Sequence, residues 1–273
     1  MWTGKAATVD GIRMPFLEAG DPRAADVLVL VHAFPVGMRM WEQVAVPPGW
    51  RGIAPALPGF DGHDPPGGDS TLDDYARAVL TLLDHLRIDH AVVGGLSMGG
   101  YVTFALWRLA RLRWRGLVLA DTRTGADSDQ ARAGRQRLLE IATQHGTRAV
   151  ADDMLPKLLG ETTWRERPQV VDHARRLIER QTSEGVAAAI VRLRDRPDST
   201  DLLTSIGVPT LIVVGDEDSV TPVSESEQMR DRLEDARLVR IARAGHLTAM
   251  ENPSAFGQAL AEFLDRLHPG ASS

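Results

Sequence analysis

Short unbroken apolar runs alternate along the chain with stretches whose apolar residues recur every three or four positions. Val27-Leu28-Val29-Leu30-Val31 is the clearest run, bounded by Pro22 and by His32-Ala33-Phe34-Pro35. A strand with one wet face would alternate apolar and polar residues, so a continuous run reads as a strand buried on both faces of a parallel sheet. Similar runs are Gly52-Ile53-Ala54, Ala91-Val92-Val93-Gly94-Gly95, Gly116-Leu117-Val118-Leu119-Ala120 and Leu211-Ile212-Val213-Val214-Gly215, with Leu238-Val239-Arg240-Ile241 a shorter one. Near the start, Ala7-Thr8-Val9 and the residues from Ile12 to Leu17 are separated by Asp10-Gly11, a dipeptide suited to a hairpin turn. Between the runs, Leu72, Tyr75, Ala76, Val79, Leu82, Leu83 and Leu86 keep helical spacing, and 98–109, 223–233 and 253–267 form further helical patterns. Asn252 or Ser254 is placed to cap the last, with Pro253 at its first turn.

Strands alternating with helices imply parallel crossover units, hence an α/β fold with a mostly parallel central sheet flanked by helices. Residues 122–205 break this rhythm. They carry helical patterns at 131–143, 150–159, 168–183 and 185–192 and no strand pattern, which predicts a helical insertion between two sheet strands. The expected division is therefore a core of 1–121 and 206–273 with an insertion at 122–205. No repeat or linker marks a second independent domain.

Composition narrows the function. The 273 residues include no cysteine, which removes disulfides, thiolate metal sites and a cysteine nucleophile. Formal net charge is −6, against the basic surface that nucleic-acid binding needs. No apolar stretch of signal-peptide length follows the N-terminus, and no window approaches the ~18 apolar residues of a membrane span. The expectation is a soluble cytoplasmic protein with neither nucleic acid nor membrane as partner. The sequence carries no signal for oligomeric state.

The chemistry centres on Gly95-Leu96-Ser97-Met98-Gly99. This G-x-S-x-G pattern follows a buried-strand run and opens a helix, the strand–turn–helix setting in which a serine sits exposed on a strained turn. A serine hydroxyl needs a base to become a nucleophile. His246, in Ala244-Gly245-His246, lies after the last strand run and before the final helix, whereas His85, His90, His145, His173 and His268 occupy helical or tail contexts and read as solvated or packing residues. An acid must then orient the imidazole and stabilise its cation. Asp218, just beyond the strand ending at Gly215, fits best, with Asp216, Glu217 and Asp121 as rivals at or near strand ends. An oxyanion needs donors. The backbone N–H of Met98 is one, and that of Phe34 is the best candidate for the other, because Pro35 has none. Trp41, Leu247 and Met250 adjoin these motifs and read either as pocket lining or as core.

These segments together resemble the α/β-hydrolase superfamily over nearly the whole chain. His32-Ala33-Phe34-Pro35 resembles its His-Gly-x-Pro oxyanion loop, and Ala56-Leu57-Pro58-Gly59-Phe60-Asp61-Gly62 resembles its Asp-x-Pro-Gly-x-Gly turn. Gly215-x-x-Asp218 with Thr221-Pro222, and Gly245-His246 with Glu251-Asn252-Pro253, resemble its acid and histidine segments. The resemblance implies a Ser97–His246–Asp218 triad and makes 122–205 a helical cap over the pocket. Two departures stand out. Ala33 replaces a glycine, which restricts the oxyanion loop, and the proline-glycine turn lacks the leading aspartate and is one residue longer, which predicts a changed local shape. Small carboxylesterases, 3-oxoadipate enol-lactonases and cofactor-free haloperoxidases or perhydrolases are the nearest-looking groups.

The expected function is hydrolysis of a small-molecule carboxylic ester or lactone through an acyl-enzyme on Ser97, with no metal or organic cofactor implied. The alternatives are acyl transfer to peroxide and a ligand receptor on the same fold. Arg123, Arg132, Arg135, Arg175, Arg176, Arg192, Arg194 and Arg196 in and beside the insertion either serve an anionic substrate or form a solvated helix surface.

Overall fold

The computed structural model describes residues 1–64 and 71–267; His268 lies outside the described residues. An N-terminal hairpin, β1 (Thr3–Val9) and β2 (Ile12–Gly20), turns at Asp10-Gly11, both with positive φ. It leads into β3 (Asp26–Val31), β4 (Trp50–Pro55), helix α1 (Leu72–His85), β5 (Ala91–Leu96), α2 (Met98–Ala110) and β6 (Trp114–Ala120). After a helical segment the chain completes β7 (Thr210–Gly215), a helix over Val223–Arg232, β8 (Ala236–Ile241) and a closing helix over Pro253–Leu267. The eight strands form one sheet in the order β1-β2-β4-β3-β5-β6-β7-β8. Only β1 with β2 and β2 with β4 pair antiparallel; every other neighbour pair is parallel. This is the α/β-hydrolase architecture.

β3, β5 and β7 are buried at every position, which is why they read as unbroken apolar runs. Edge strand β8 is half-exposed, and its sequence is correspondingly interrupted by Arg237 and Arg240. α1 begins at a capping box formed by Thr71 and Asp74 and buries Leu72, Tyr75, Ala76, Val79, Leu82 and Leu83. At the closing helix Asn252 is the cap: its Oδ1 accepts the Ala255 N–H at 3.2 Å.

Between β6 and β7 run four α-helices, α3 (Asp129–Leu158), α4 (Glu161–Glu166), α5 (Pro168–Glu179) and α6 (Ser183–Arg194), and a 3-10 turn over Thr200–Ser205. α3 spans two of the patterns read from the sequence, broken at Gly146, whose φ of 76° no helix allows. The helices following them are then α7 (Val223–Arg232), the short α8 (Thr248–Glu251) and α9 (Pro253–Leu267). α4 and α8, too short to show a period, are absent from the sequence reading.

Because β3, β5, β6, β7 and β8 are parallel, their carboxyl ends lie along one edge of the sheet. That edge is where open α/β sheets bind ligands. The segments that leave it are His32–Phe34 after β3, Ser97 after β5, Asp121 after β6, Asp218 after β7 and His246 after β8.

Candidate active site

Ser97 sits between β5 and α2 with φ 56° and ψ −110°, outside the regions that L residues favour. Its N–H donates to the Ala120 carbonyl of β6 at 2.8 Å, and its own carbonyl accepts from Gly100 and Tyr101 and from the Thr122 hydroxyl. Flanking glycines make the turn sterically feasible. A Cβ on Gly95 would strike the Gly99 backbone, and one on Gly99 would strike the Val31 carbonyl. Strand, turn and helix therefore approach more closely than any side chain would permit.

The structure brings three of the sequence-named side chains into one hydrogen-bonded line. His246 Nε2 lies 2.8 Å from Ser97 Oγ, and His246 Nδ1 lies 2.9 Å from Asp218 Oδ2. With Nδ1–H donating to the carboxylate, Nε2 is the unprotonated acceptor facing the serine hydroxyl. His246 is 1% exposed. Asp218 Oδ1 accepts the N–H groups of Val220 and Thr221 at 2.8 and 3.0 Å, and its Oδ2 accepts the Thr221 hydroxyl at 2.6 Å. Burial opposes its ionisation, but the facing His246 and the hydrogen bonds from His246 and Thr221 outweigh that and hold the carboxyl below its usual range. Thr221, also 3.2 Å from His246 Nδ1, was not singled out as a site residue in the sequence. The adjoining Thr221-Pro222 pair is the only signal that marked it.

The rival carboxylates do other things. Asp121 is fully buried and accepts the Gly215 N–H at 3.0 Å and the Thr248 hydroxyl, whereas the His246 ring bonds Ser97, Asp218 and Thr221. Burial, then repulsion from Asp218 and Glu251, pushes its pKa well above the ordinary aspartate value. Asp216 accepts the Arg243 N–H at 2.8 Å. Glu217 accepts the N–H and hydroxyl of Thr162 in the helical segment.

A further buried carboxylate organises the histidine loop. Glu251 Oε1 accepts the N–H groups of Gly245 and Leu247, at 3.0 and 3.1 Å, on either side of His246. Its Oε2 accepts the Gly160 N–H at 2.8 Å and the Thr163 hydroxyl at 2.6 Å. The His246 N–H itself donates to the Leu158 carbonyl at the end of α3. The loop is thus clamped to the helical segment through backbone and side chain at once.

Met98 is the first residue of α2, so its N–H has no acceptor within the helix and lies beside Ser97. Phe34 lines the same cavity as Ser97 and His246. His32 fixes the loop before it: buried, it bonds the Ala33 carbonyl through Nδ1 at 3.0 Å and accepts the Leu57 N–H through Nε2 at 3.1 Å. Burial pushes its pKa down, consistent with a neutral ring that joins the loop to the proline-glycine turn. Ala33 is not among the residues of positive φ, so its Cβ is carried without strain. In the longer turn, Gly59, Asp61 and Gly62 all take positive φ, and Asp61 Oδ2 accepts the Met38 N–H at 2.7 Å. The departure from the family pattern thus becomes a brace for the oxyanion loop.

The cavity over Ser97 has a volume of about 330 Å³. Phe34, Tyr101, Val220 and Thr221 line it from the sheet side, and Leu138, Met154, Leu158 and Leu193 from the helical segment, with Arg123, Arg135 and Asp127 on one wall. Trp41, Leu247 and Met250 do not line it, which corrects the pocket reading of these three. Each is buried in the core, Trp41 with its ring 5.7 Å from that of Phe256. Sequence adjacency to a motif does not place them in the pocket, because each belongs to the hydrophobic core. Much of the apolar lining comes from the helical segment, whose inward faces look in sequence like any helix core.

The fold and this edge define a class, and the family model for the alpha/beta hydrolase fold matches residues 26–253. The chain belongs to the α/β-hydrolase family. Among similar proteins are the 3-oxoadipate enol-lactonase 2 of Acinetobacter baylyi, 25% identical over 77% of each chain, and the pimeloyl-[acyl-carrier protein] methyl ester esterase of Aromatoleum aromaticum, 28% identical over 83% of this chain and 93% of that one. A thermophilic esterase from Thermogutta terrifontis, solved with malate bound, superposes with a TM-score of 0.90 at 37% identity, covering 98% of this chain and 99% of that one. These relatives are hydrolases. Among the described residues no helix is long and apolar enough to cross a membrane.

Proposed function

We propose that the protein is a serine hydrolase that cleaves a small carboxylic ester or lactone through an acyl-enzyme on Ser97. The observation that carries this reading is the line Ser97 Oγ–His246 Nε2–Asp218 at 2.8 and 2.9 Å, at the floor of a cavity. Ser97 Oγ attacks the substrate carbonyl carbon while its proton passes to His246 Nε2, and Asp218 stabilises the imidazolium. The negative charge that develops on the carbonyl oxygen is met by the N–H groups of Met98 and Phe34. The intermediate collapses as His246 gives its proton to the leaving alkoxide. Water, deprotonated by His246, then releases the acid and restores Ser97. In this reading residues 122–205 act as the cap, and their apolar side chains shape the acyl site.

The test is hydrolysis of p-nitrophenyl esters from acetyl to lauroyl by the wild-type protein and Ser97→Ala in parallel. Multiple turnover that vanishes in the variant supports the reading and gives an acyl length. Equal rates for the two proteins overturn it, and turnover that appears only with peroxide present moves it to perhydrolysis.

A further inference from the structure

The sequence offered eight arginines in and beside the helical segment as candidates for an anionic substrate. The structure separates them. Arg175 pairs with Asp152 and Arg194 with Asp195 toward the surface, while Arg192 is buried over the Tyr75 ring. Arg132 and Arg176 are exposed. Arg123 and Arg135 alone of the eight line the cavity that holds Ser97 and His246.

These two are held by an uncommon arrangement. Asp127, whose side chain is 0% exposed, receives Arg123 Nη2 at 2.9 Å, Arg135 Nε at 3.1 Å and Arg196 Nη1 at 2.6 Å. Arg196 is itself buried, bonds the carbonyls of Leu193 and Gly125, and lies 4.2 Å over the ring of Tyr101. Three guanidiniums share one carboxylate. Asp198, which acts on Arg196, does not line this cavity, so on the cavity wall itself Arg123 and Arg135 outnumber Asp127. Lys157 and Asp153, also in the cavity, pair with each other at 2.8 Å and cancel. Glu225, which also acts on Arg123, lines a separate cavity. The donors are also unfilled. The Nε of Arg123 is buried with no hydrogen-bond partner, and the Nη atoms of Arg135 have none among the described residues. Arg123 and Arg135 are only partly buried, and both share Asp127, so an anion in the cavity would complete their charge and hydrogen bonding.

We propose that the substrate carries a free carboxylate besides its scissile ester or lactone bond, and that Arg123 and Arg135, fixed by Asp127, bind that carboxylate. The substrate class is then the half-ester of a short dicarboxylic acid or a carboxylated lactone. The inference rests on the hydrolase reading above and adds the group that sets specificity. Apolar residues between the two ends hold the linking carbons, and a guanidinium pair gives a planar carboxylate charge-assisted bonds that a neutral acyl chain cannot make.

The test compares p-nitrophenyl hydrogen glutarate with p-nitrophenyl valerate, of similar length but neutral. The wild-type protein is expected to favour the glutarate in kcat/KM by about tenfold or more, the size expected of charge-assisted hydrogen bonds. The preference should shrink at high salt. Arg135→Gln should lower the ratio of the two kcat/KM values by about tenfold, and Arg135→Lys should recover part of it. Calorimetry of glutarate against Ser97→Ala supplies a readout that needs no turnover, with dimethyl glutarate as the neutral control. Neutral-ester turnover without a glutarate preference overturns the carboxylate site and leaves the hydrolase standing. Glutarate binding to Ser97→Ala without turnover of any ester by the wild type does the reverse. Should Arg135→Gln fail to fold, the wild-type ratio and its salt dependence decide alone.

Discussion

Ser97 holds a backbone conformation that costs about 1–3 kcal/mol in general, and it is kept there by the Ala120 carbonyl and by glycines that no other residue can replace. The return on that strain is direction, since the hydroxyl faces His246 Nε2. Asp218 then fixes the imidazole. Asp218→Asn would present a donor or a weaker acceptor to Nδ1–H, and kcat is expected to fall about 10³–10⁴-fold with the fold intact, read by steady-state kinetics beside a melting curve. Because the folded pKa of Asp218 is depressed, the stability it contributes is present above the unfolded value and is lost as pH falls through the folded one. The gap in unfolding free energy between wild type and Asp218→Asn should therefore close on acidification below about pH 4. Asp121 has the opposite sign. Its folded pKa is raised, so ionisation of the unfolded chain erodes stability as pH rises from the unfolded value towards the folded one. Asp121→Asn, which keeps an acceptor for the Gly215 N–H and lets the Thr248 hydroxyl turn to accept, should melt higher than wild type at neutral pH. Melting curves across pH check this, and a lower Tm at neutral pH would contradict it.

At the scale of elements, the parallel strands bring the residues together and the loops after them aim the side chains. The sequence made the strands legible because β3, β5 and β7 are buried on both faces and so contain almost nothing but apolar residues and glycine. Ser97, His246 and Asp218 were legible because each follows such a strand. The clamps were not: Glu251 belongs to a four-residue helix, and its four hydrogen bonds reach residues up to 91 positions away. Glu251→Gln would set an amide NH₂ against the Gly160 N–H and the Thr163 hydroxyl. A loss of about 1–3 kcal/mol is expected for the unsatisfied donor, measured by urea unfolding, with a fall in kcat as the His246 loop loosens. A second contact invisible in sequence joins the proline-glycine turn to α6, where a Cβ on Gly185 would enter the Gly59 backbone. Gly185→Ala should destabilise by about 1–3 kcal/mol through this overlap, again read by urea unfolding. An unchanged midpoint would show that α6 can move off the turn freely.

Across the whole molecule, the sheet supplies the reacting groups and the four-helix segment supplies most of the wall facing them. The two are joined by Gln181 to Asp61, Thr162 to Glu217, Gly160 to Glu251 and His246 to Leu158. The pocket lies between parts of the chain far apart in sequence, and this is why the sequence leaves Trp41, Leu247 and Met250 open between pocket and core and does not mark Leu138, Met154, Leu158 and Leu193. Periodicity identifies an inward helix face; it does not say whether that face meets a neighbour or a cavity. The central claim is that Ser97 is the nucleophile, and the most direct measurement is the intact mass of the protein after reaction with diethyl p-nitrophenyl phosphate. One diethylphosphoryl group per chain, mapped to the peptide containing Ser97 and absent from Ser97→Ala, is the expected result. An unmodified wild-type protein, or an equal adduct on Ser97→Ala, would contradict it.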